Sequence, residues 1–157
     1  TLRVTAAHAE EVGGIPAVQA WLASEAAWAG DETFYRGFAG RVATFGEELT
    51  GLLRGLKAEG KRIAGYGAAA KASTLLNYLG LDGCAIDFVA DRSPYKQGLF
   101  MPGSRIPIRP PSEILSERPD YLVVFAWNFA DEIMEQQSEF REGGGKFIVP
   151  LPRLRVV

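Results

Sequence analysis

The spacing of apolar and polar positions changes character near residue 60. Before that point apolar residues recur at helical intervals. Ile15, Val18, Trp21, Leu22 and Ala26 share one face of a helix expected over Ile15 to Ala29. Gly30-Asp31 breaks that helix, and Asp31 is suited to cap the next one. Phe34, Phe38, Val42, Phe45, Leu49, Leu52 and Leu56 then follow at steps of 4, 4, 3, 4, 3 and 4, a long seam ended by Gly60. Such a seam fits a helix packed on a sheet or on a neighbouring domain. A homodimer contact through the Phe34–Leu56 seam is the sharper alternative, although the flanking charges are irregular for a coiled coil.

After Gly60, short apolar runs alternate with helical stretches. Strands are expected at Arg62–Tyr66, Cys84–Ala90, around Ile106–Ile108, at Tyr121–Phe125 and at Phe147–Val149. The helices between them are Lys71–Leu79, a brief one opened by Pro110-Pro111, and one from Asn128 to about Glu142 with Phe129, Ile133 and Met134 inward. Gly143-Gly144-Gly145 ends the last helix. Strands that alternate with helices imply a parallel sheet with right-handed crossovers. The expected fold class is therefore α/β, a Rossmann-like doubly wound parallel sheet of about five strands in the order 3-2-1-4-5. It occupies residues 61–157, preceded over residues 1–60 by a helical section that packs on it or on a neighbour.

Composition narrows the classes. With 157 residues, 47% hydrophobic and 23% charged, the chain has the make-up of one soluble globular domain. No apolar run approaches the roughly 20 residues of a membrane span, and no secretory leader is visible, so no membrane partner is expected and a cytoplasmic location is the default. The 17 basic and 19 acidic residues are interspersed, without the basic stripe of a nucleic-acid binder. One cysteine and one histidine exclude an internal disulfide and a four-ligand zinc site. Cys84, at the start of an apolar run, is expected to be a buried small hydrophobe. His8 has no evident serine and aspartate companions, and no carboxylate pair is placed by motif, so no catalytic residue is assigned. The chain is expected to hold a substrate rather than transform one. It opens at Thr1-Leu2-Arg3-Val4 without methionine and reads like the interior of a longer protein.

The binding argument rests on residues 62 to 79. Gly65 and Gly67 bracket Tyr66 where strand must turn into helix, and Gly67 allows an approach that a Cβ would obstruct. Ala68, Ala69 and Ala70 keep the helix start bare, so that its free N–H groups and positive dipole end can meet an anion. Lys71 opposes that dipole, and a bound phosphate would compensate it; the plainer alternative is a solvated lysine. The dinucleotide pattern G-x-G-x-x-G would want glycine at Ala70, and the P-loop spacing is absent. Asp91, 24 residues after Gly67, either bonds ribose hydroxyls or caps its own turn, and a shaped loop over Arg92–Gly98, with Ser93 and Lys96, follows it at the same sheet edge. Trp127-Asn128 follows the fourth strand beside the point where strand order reverses. Asn128, with Asp131 behind it, also suits an N-cap.

Four motifs in order carry a resemblance: Gly65-Tyr66-Gly67-Ala68-Ala69-Ala70-Lys71, Asp91-Arg92-Ser93-Pro94-Tyr95-Lys96-Gln97-Gly98, Pro102-Gly103-Ser104-Arg105-Ile106-Pro107-Ile108 and Ala126-Trp127-Asn128-Phe129. Together they resemble the C-terminal domain of the S-adenosylmethionine-dependent sugar C-methyltransferase family, which acts on nucleotide-linked keto-deoxysugars. The resemblance covers nearly the whole chain. It implies a parent with a small cysteine-rich zinc domain, a central methyl-donor domain and this one, with Thr1-Leu2-Arg3 as the tail of the central domain. S-adenosylmethionine and zinc would belong to those other parts, and this chain would bind no cofactor itself. Only eight residues follow Val149, too few for the two further strands of a methyl-donor sheet. The resemblance implies that Gly65, Tyr66, Gly67, Ala68, Ala69 and Lys71 lie near the phosphates of a dTDP-sugar. Asp91, Ser93, Lys96, Trp127 and Asn128 would lie near the same ligand or close the site. Two other readings stay open: a nicotinamide-binding oxidoreductase domain, favoured by Ala70 and Asp91, and a non-catalytic interaction module built on the Phe34–Leu56 seam.

Overall fold

The computed structural model describes residues 5–8 and 15–157. The reading of Thr1-Leu2-Arg3 as another domain's tail lies outside the described residues. The chain forms two compact units, one ending at Val42 and the other covering Ala43–Val157. In the first, helix α1 spans Pro16–Ala29, with proline at its first turn. Helix α2, Glu32–Ala58, begins in this unit and ends in the second, so the division falls inside a helix. Asp31 caps α2 as expected: its Oδ1 accepts the Thr33 N–H at 2.9 Å and the Thr33 hydroxyl at 2.6 Å. Those bonds hold the Asp31 carboxyl below its usual range. Trp28 and Phe34 stack at 5.1 Å, Phe34 meets Tyr35 edge-on, and the Arg41 guanidinium lies 5.9 Å from both the Phe34 and Phe38 rings.

The expected seam divides along its length. Leu49 and Leu56 are buried, joined by Leu53 rather than Leu52, whereas Phe34 and Phe38 are exposed. Phe38 and Leu56 lie about five whole turns apart and share a face, so the division is not one of periodicity: the buried half is the part of α2 that packs into the core of the second unit. Gly46 lets this half of α2 press on the next helix, because a Cβ there would stand 2.8 Å from Leu79 Cδ2.

The second unit holds a six-stranded sheet. Its strands are β1 (Ile63–Tyr66), β2 (Phe88–Ala90), β3 (Ile108–Arg109), β4 (Tyr121–Val124), β5 (Lys146–Val149) and β6 (Arg155–Val156), in the order 3-2-1-4-5-6. The first five are parallel in the expected order; Gly65 lies between Val89 and Val123. β6 was not expected. The tail after Pro150 turns back antiparallel, pairing Ile148 with Val156 and Val149 with Arg155. Two residues are too few to show alternation.

Helices cover both faces, as the doubly wound class requires. On one face α2 and α3 (Ala70–Leu79) pack Leu49, Leu53 and Leu76 against Ile63, Val89, Val123 and Ile148. On the other, α4 (Glu113–Glu117), α5 (Ala130–Gln136) and α6 (Ser138–Glu142) bring Ile114, Ile133 and Phe140 onto Ala64, Leu122, Val124 and Phe147. Full burial of each leucine contributes about 1.5–3 kcal/mol.

Three local expectations are corrected. Cys84 is exposed, in a turn rather than a strand: Asp82 accepts the Cys84 N–H at 2.9 Å and its carbonyl accepts those of Ala85 and Ile86. That local wrapping delays β2 to Phe88. Phe129 is exposed instead of inward, because a 3₁₀ turn over Trp127–Phe129 rotates it off the buried face before α5 begins. The helix expected to run to Glu142 is broken at Gln137, where the backbone leaves the α region between α5 and α6.

Candidate functional site

Order reverses between β1 and β4, and the strand ends at that switch form the crevice where open α/β sheets hold ligands. β1 delivers Tyr66 there, and Gly67 turns the chain with φ of +96°, a conformation that favours glycine. Both glycines answer to close neighbours. A Cβ on Gly65 would stand 2.5 Å from the Phe125 ring and 3.2 Å from Val89 Cγ2, and one on Gly67 would stand 3.1 Å from Ala126 Cβ. Gly65, Tyr66, Gly67 and Ala68 are buried, so the close approach at this turn is made by the β4 end itself. Burial raises the Tyr66 phenol above its ordinary range, with Arg92 opposing and Asp91 and Glu132 adding to the rise.

The chain opens to solvent from Ala69 onward. Ala69 is extended and offers no side-chain cap, while its carbonyl accepts the N–H groups of Ala72 and Ser73. Among the described residues the amides of Ala70 and Lys71 have no partner, as expected of an uncapped first turn. The Lys71 ammonium lies 4.6 Å above the Trp127 ring and donates to Asn128 Oδ1 at 2.9 Å. Both partners are neutral. Asn128 does not cap α5, because it sits in the middle of the 3₁₀ turn while Phe129 occupies the cap position without a side-chain bond.

Asp91 works inside the protein. Its Oδ2 accepts the Ala68 N–H at 2.7 Å and Lys96 Nζ at 3.3 Å, and its Oδ1 accepts the Ser93 N–H at 2.8 Å. Lys96 Nζ also donates to the Ala68 carbonyl at 2.8 Å, and Gln97 Nε2 to the Asp91 carbonyl at 2.9 Å. The capped-turn alternative is the one present: Asp91, Ser93 and Lys96 clamp their loop onto the glycine turn. Ser93 and Lys96 remain half-buried beside it, and Arg92 is exposed next to them.

Eleven sequence-derived positions thus fall into two layers. The buried Gly65, Tyr66, Gly67 and Ala68 and the half-buried Asp91 bonded to them form a frame, and Ala69, Lys71, Ser93, Lys96, Trp127 and Asn128 form its open side. A pocket of about 350 Å³ adjoins Asn128 across the ends of β4 and β5, lined by Trp127, Phe129, Leu151 and Arg155. Two larger hollows, about 490 Å³ between α4 and α6 and about 510 Å³ between α2 and α3, contain none of these positions. Sequence reasoning missed Arg155, which comes with the two-residue β6, and passed over Arg92, whose neighbour Asp91 drew the attention. His8 is exposed in the other unit. Among the described residues no group of three or more His, Cys, Asp or Glu could hold a metal, and no helix is long and apolar enough to cross a membrane.

Comparison with known proteins bears on what this edge serves. The family described as the C-methyltransferase C-terminal domain matches residues 1–152. C-methyltransferase NovU of Streptomyces niveus is 45% identical over 143 residues, which are 90% of this chain and 34% of that protein. The chain therefore spans about a third of the length of the curated relative it matches.

Proposed function

The chain belongs to the C-methyltransferase C-terminal domain family, and from that premise we propose that it holds the nucleotide-linked keto-deoxysugar of an S-adenosylmethionine-dependent methyltransferase. In that reaction a base would take the proton from the carbon beside the sugar ketone, and the enolate would displace the methyl group from the sulfonium of S-adenosylmethionine, which would leave as the neutral thioether. Zinc and the methyl donor would be held elsewhere in the enzyme, and this chain's task is to orient the substrate by its diphosphate.

One observation carries the reading. At the switch point an ammonium group, Lys71, is held by neutral partners only, beside two unbonded amides at a helix start. A pyrophosphate suits that arrangement, because it accepts from the amides and gives the lysine its counter-charge. Trp127 offers an apolar face for the sugar or base, beside a pocket whose lining also carries Asp131, Glu132 and Arg155. The nicotinamide alternative draws less support, since three of the roughly four acceptor sites of the Asp91 carboxylate already take protein donors, leaving one for a ribose diol.

Calorimetric titration with a dTDP-sugar tests the proposal. Lys71→Ala should weaken binding about tenfold or more, with the unfolding midpoint unchanged. Equal affinity in the variant, or NADH binding tighter than the dTDP-sugar, would remove the reading.

A further inference from the structure

The first unit carries an apolar surface that its own helices leave uncovered. From Pro16 to Ala29 the only charged residue is Glu25; Val18, Trp21, Leu22 and Trp28 share one side of α1, and its other sides carry mainly alanine. Trp21 is 60% exposed, Leu22 55% and Val18 49%; on the adjoining turns of α2, Phe38 is 54% exposed. The Trp28–Phe34 stack and the Arg41 contacts to Phe34 and Phe38 join the aromatic part into one patch. These side chains present on the order of 600 Å² of apolar surface, beyond the few hundred typical of a lone monomer and close to one side of a stable interface.

An apolar side of that extent needs a partner that stays in place, and a covalently attached domain supplies one through its high local concentration. The 143 matched residues are only 34% of C-methyltransferase NovU. We propose that α1 and the first turns of α2 are the seat of a further domain of the same polypeptide, outside these 157 residues. The proposal rests on reading the chain as one part of a larger methyltransferase, and it is independent of what the Lys71 edge binds.

The test places the photo-crosslinking residue p-benzoylphenylalanine at Trp21 and, separately, at Phe38, in the complete polypeptide that the gene encodes. Each is an aromatic replacing an aromatic, and two positions guard against one variant failing to fold. After irradiation without nucleotide, mass spectrometry should place the cross-links within single chains, on peptides outside this sequence. Their yield should survive about a hundredfold dilution, since the contact is intramolecular. Cross-links into Ala43–Val157, a product of doubled mass that fades on dilution, or no protein cross-link at either position would each overturn the proposal. Because no ligand is present, this outcome and the dTDP-sugar titration fail separately.

Discussion

Where the parallel strands begin, Lys57 reaches Asp87 at 2.8 Å, Lys61 reaches Asp120 at 3.6 Å and Arg62 reaches Glu117 at 2.6 Å. Where they end, Lys71 has only Asn128 and Trp127, and among the described residues Arg92 makes no ion pair. Lys57, Lys61 and Arg62 are thus neutralised at the starting edge, although among the described residues Lys146 there is not. At the finishing edge Lys96 is paired with Asp91 and Arg155 with Asp131, whereas Lys71 has neutral partners and Arg92 no carboxylate. The two edges differ in this pair of uncompensated cations held beside a packed glycine turn, and the proposed diphosphate site rests on that difference.

The heaviest blow to this contrast falls on the inner frame. Gly65→Ala forces a Cβ to within 2.5 Å of the Phe125 ring, and overpacking of that kind costs about 1–3 kcal/mol. The added methyl should lower the urea midpoint and, by displacing Phe125 and the Ala126-Trp127 segment behind it, weaken ligand binding as well. An unchanged midpoint would mean that the finishing edge is not packed as tightly as the starting one.

This glycine also shows how much the sequence could tell. The positions of Gly65, Gly67 and Lys71 between a strand and a helix were legible, because strand, turn and helix are local patterns. Their cause was not: Phe125 and Ala126 arrive from β4, some sixty residues on, and local spacing carries no trace of that meeting. The same limit explains Asp91, whose ribose and turn-capping alternatives share one sequence and differ only in whether Ala68 lies within reach. Strand order followed from alternation, whereas β6 had no alternation to offer. Cys84 was misplaced because an apolar run reads alike in a strand and in a turn wrapped by Asp82. Lys71 with Asn128 and Trp127 was brought together by topology: the strand-order rule puts the ends of β1 and β4 side by side.

A subtler comparison sets one aspartate at each edge. Asp91 accepts two backbone N–H groups and Lys96 with its side chain 13% exposed, and Asp120 accepts the Arg62 N–H at 2.8 Å with its side chain 41% exposed. Asparagine can accept at only one of its two ends, so Asp91→Asn turns an amide N–H toward a donor. The loss should be about 1–3 kcal/mol, with Asp120→Asn clearly smaller because water can replace what it loses. Denaturant midpoints of the two variants decide the matter. Equal losses would show that the Asp91 clamp is no firmer than a surface pair.

The smallest effect belongs to the starting edge and is read through pH. Hydrogen bonding to Arg62, first among its causes, holds the Glu117 carboxyl below its ordinary value of 4.5. A carboxyl depressed on folding is deprotonated more readily in the native state than in the unfolded chain. Its contribution is therefore complete above pH 4.5 and is lost as pH falls through the lower, folded value. Glu117→Gln should flatten the acid limb of the stability curve over that window and leave dTDP-sugar affinity at neutral pH untouched. Lys71→Ala should do the reverse, leaving the acid limb as it was and lowering affinity. The pair is exposed, so the flattening is a modest shift of midpoint that added salt reduces further. If Glu117→Gln weakened the ligand, charge at the starting edge would be coupled to the site, and the separation of labour between the two edges would fail.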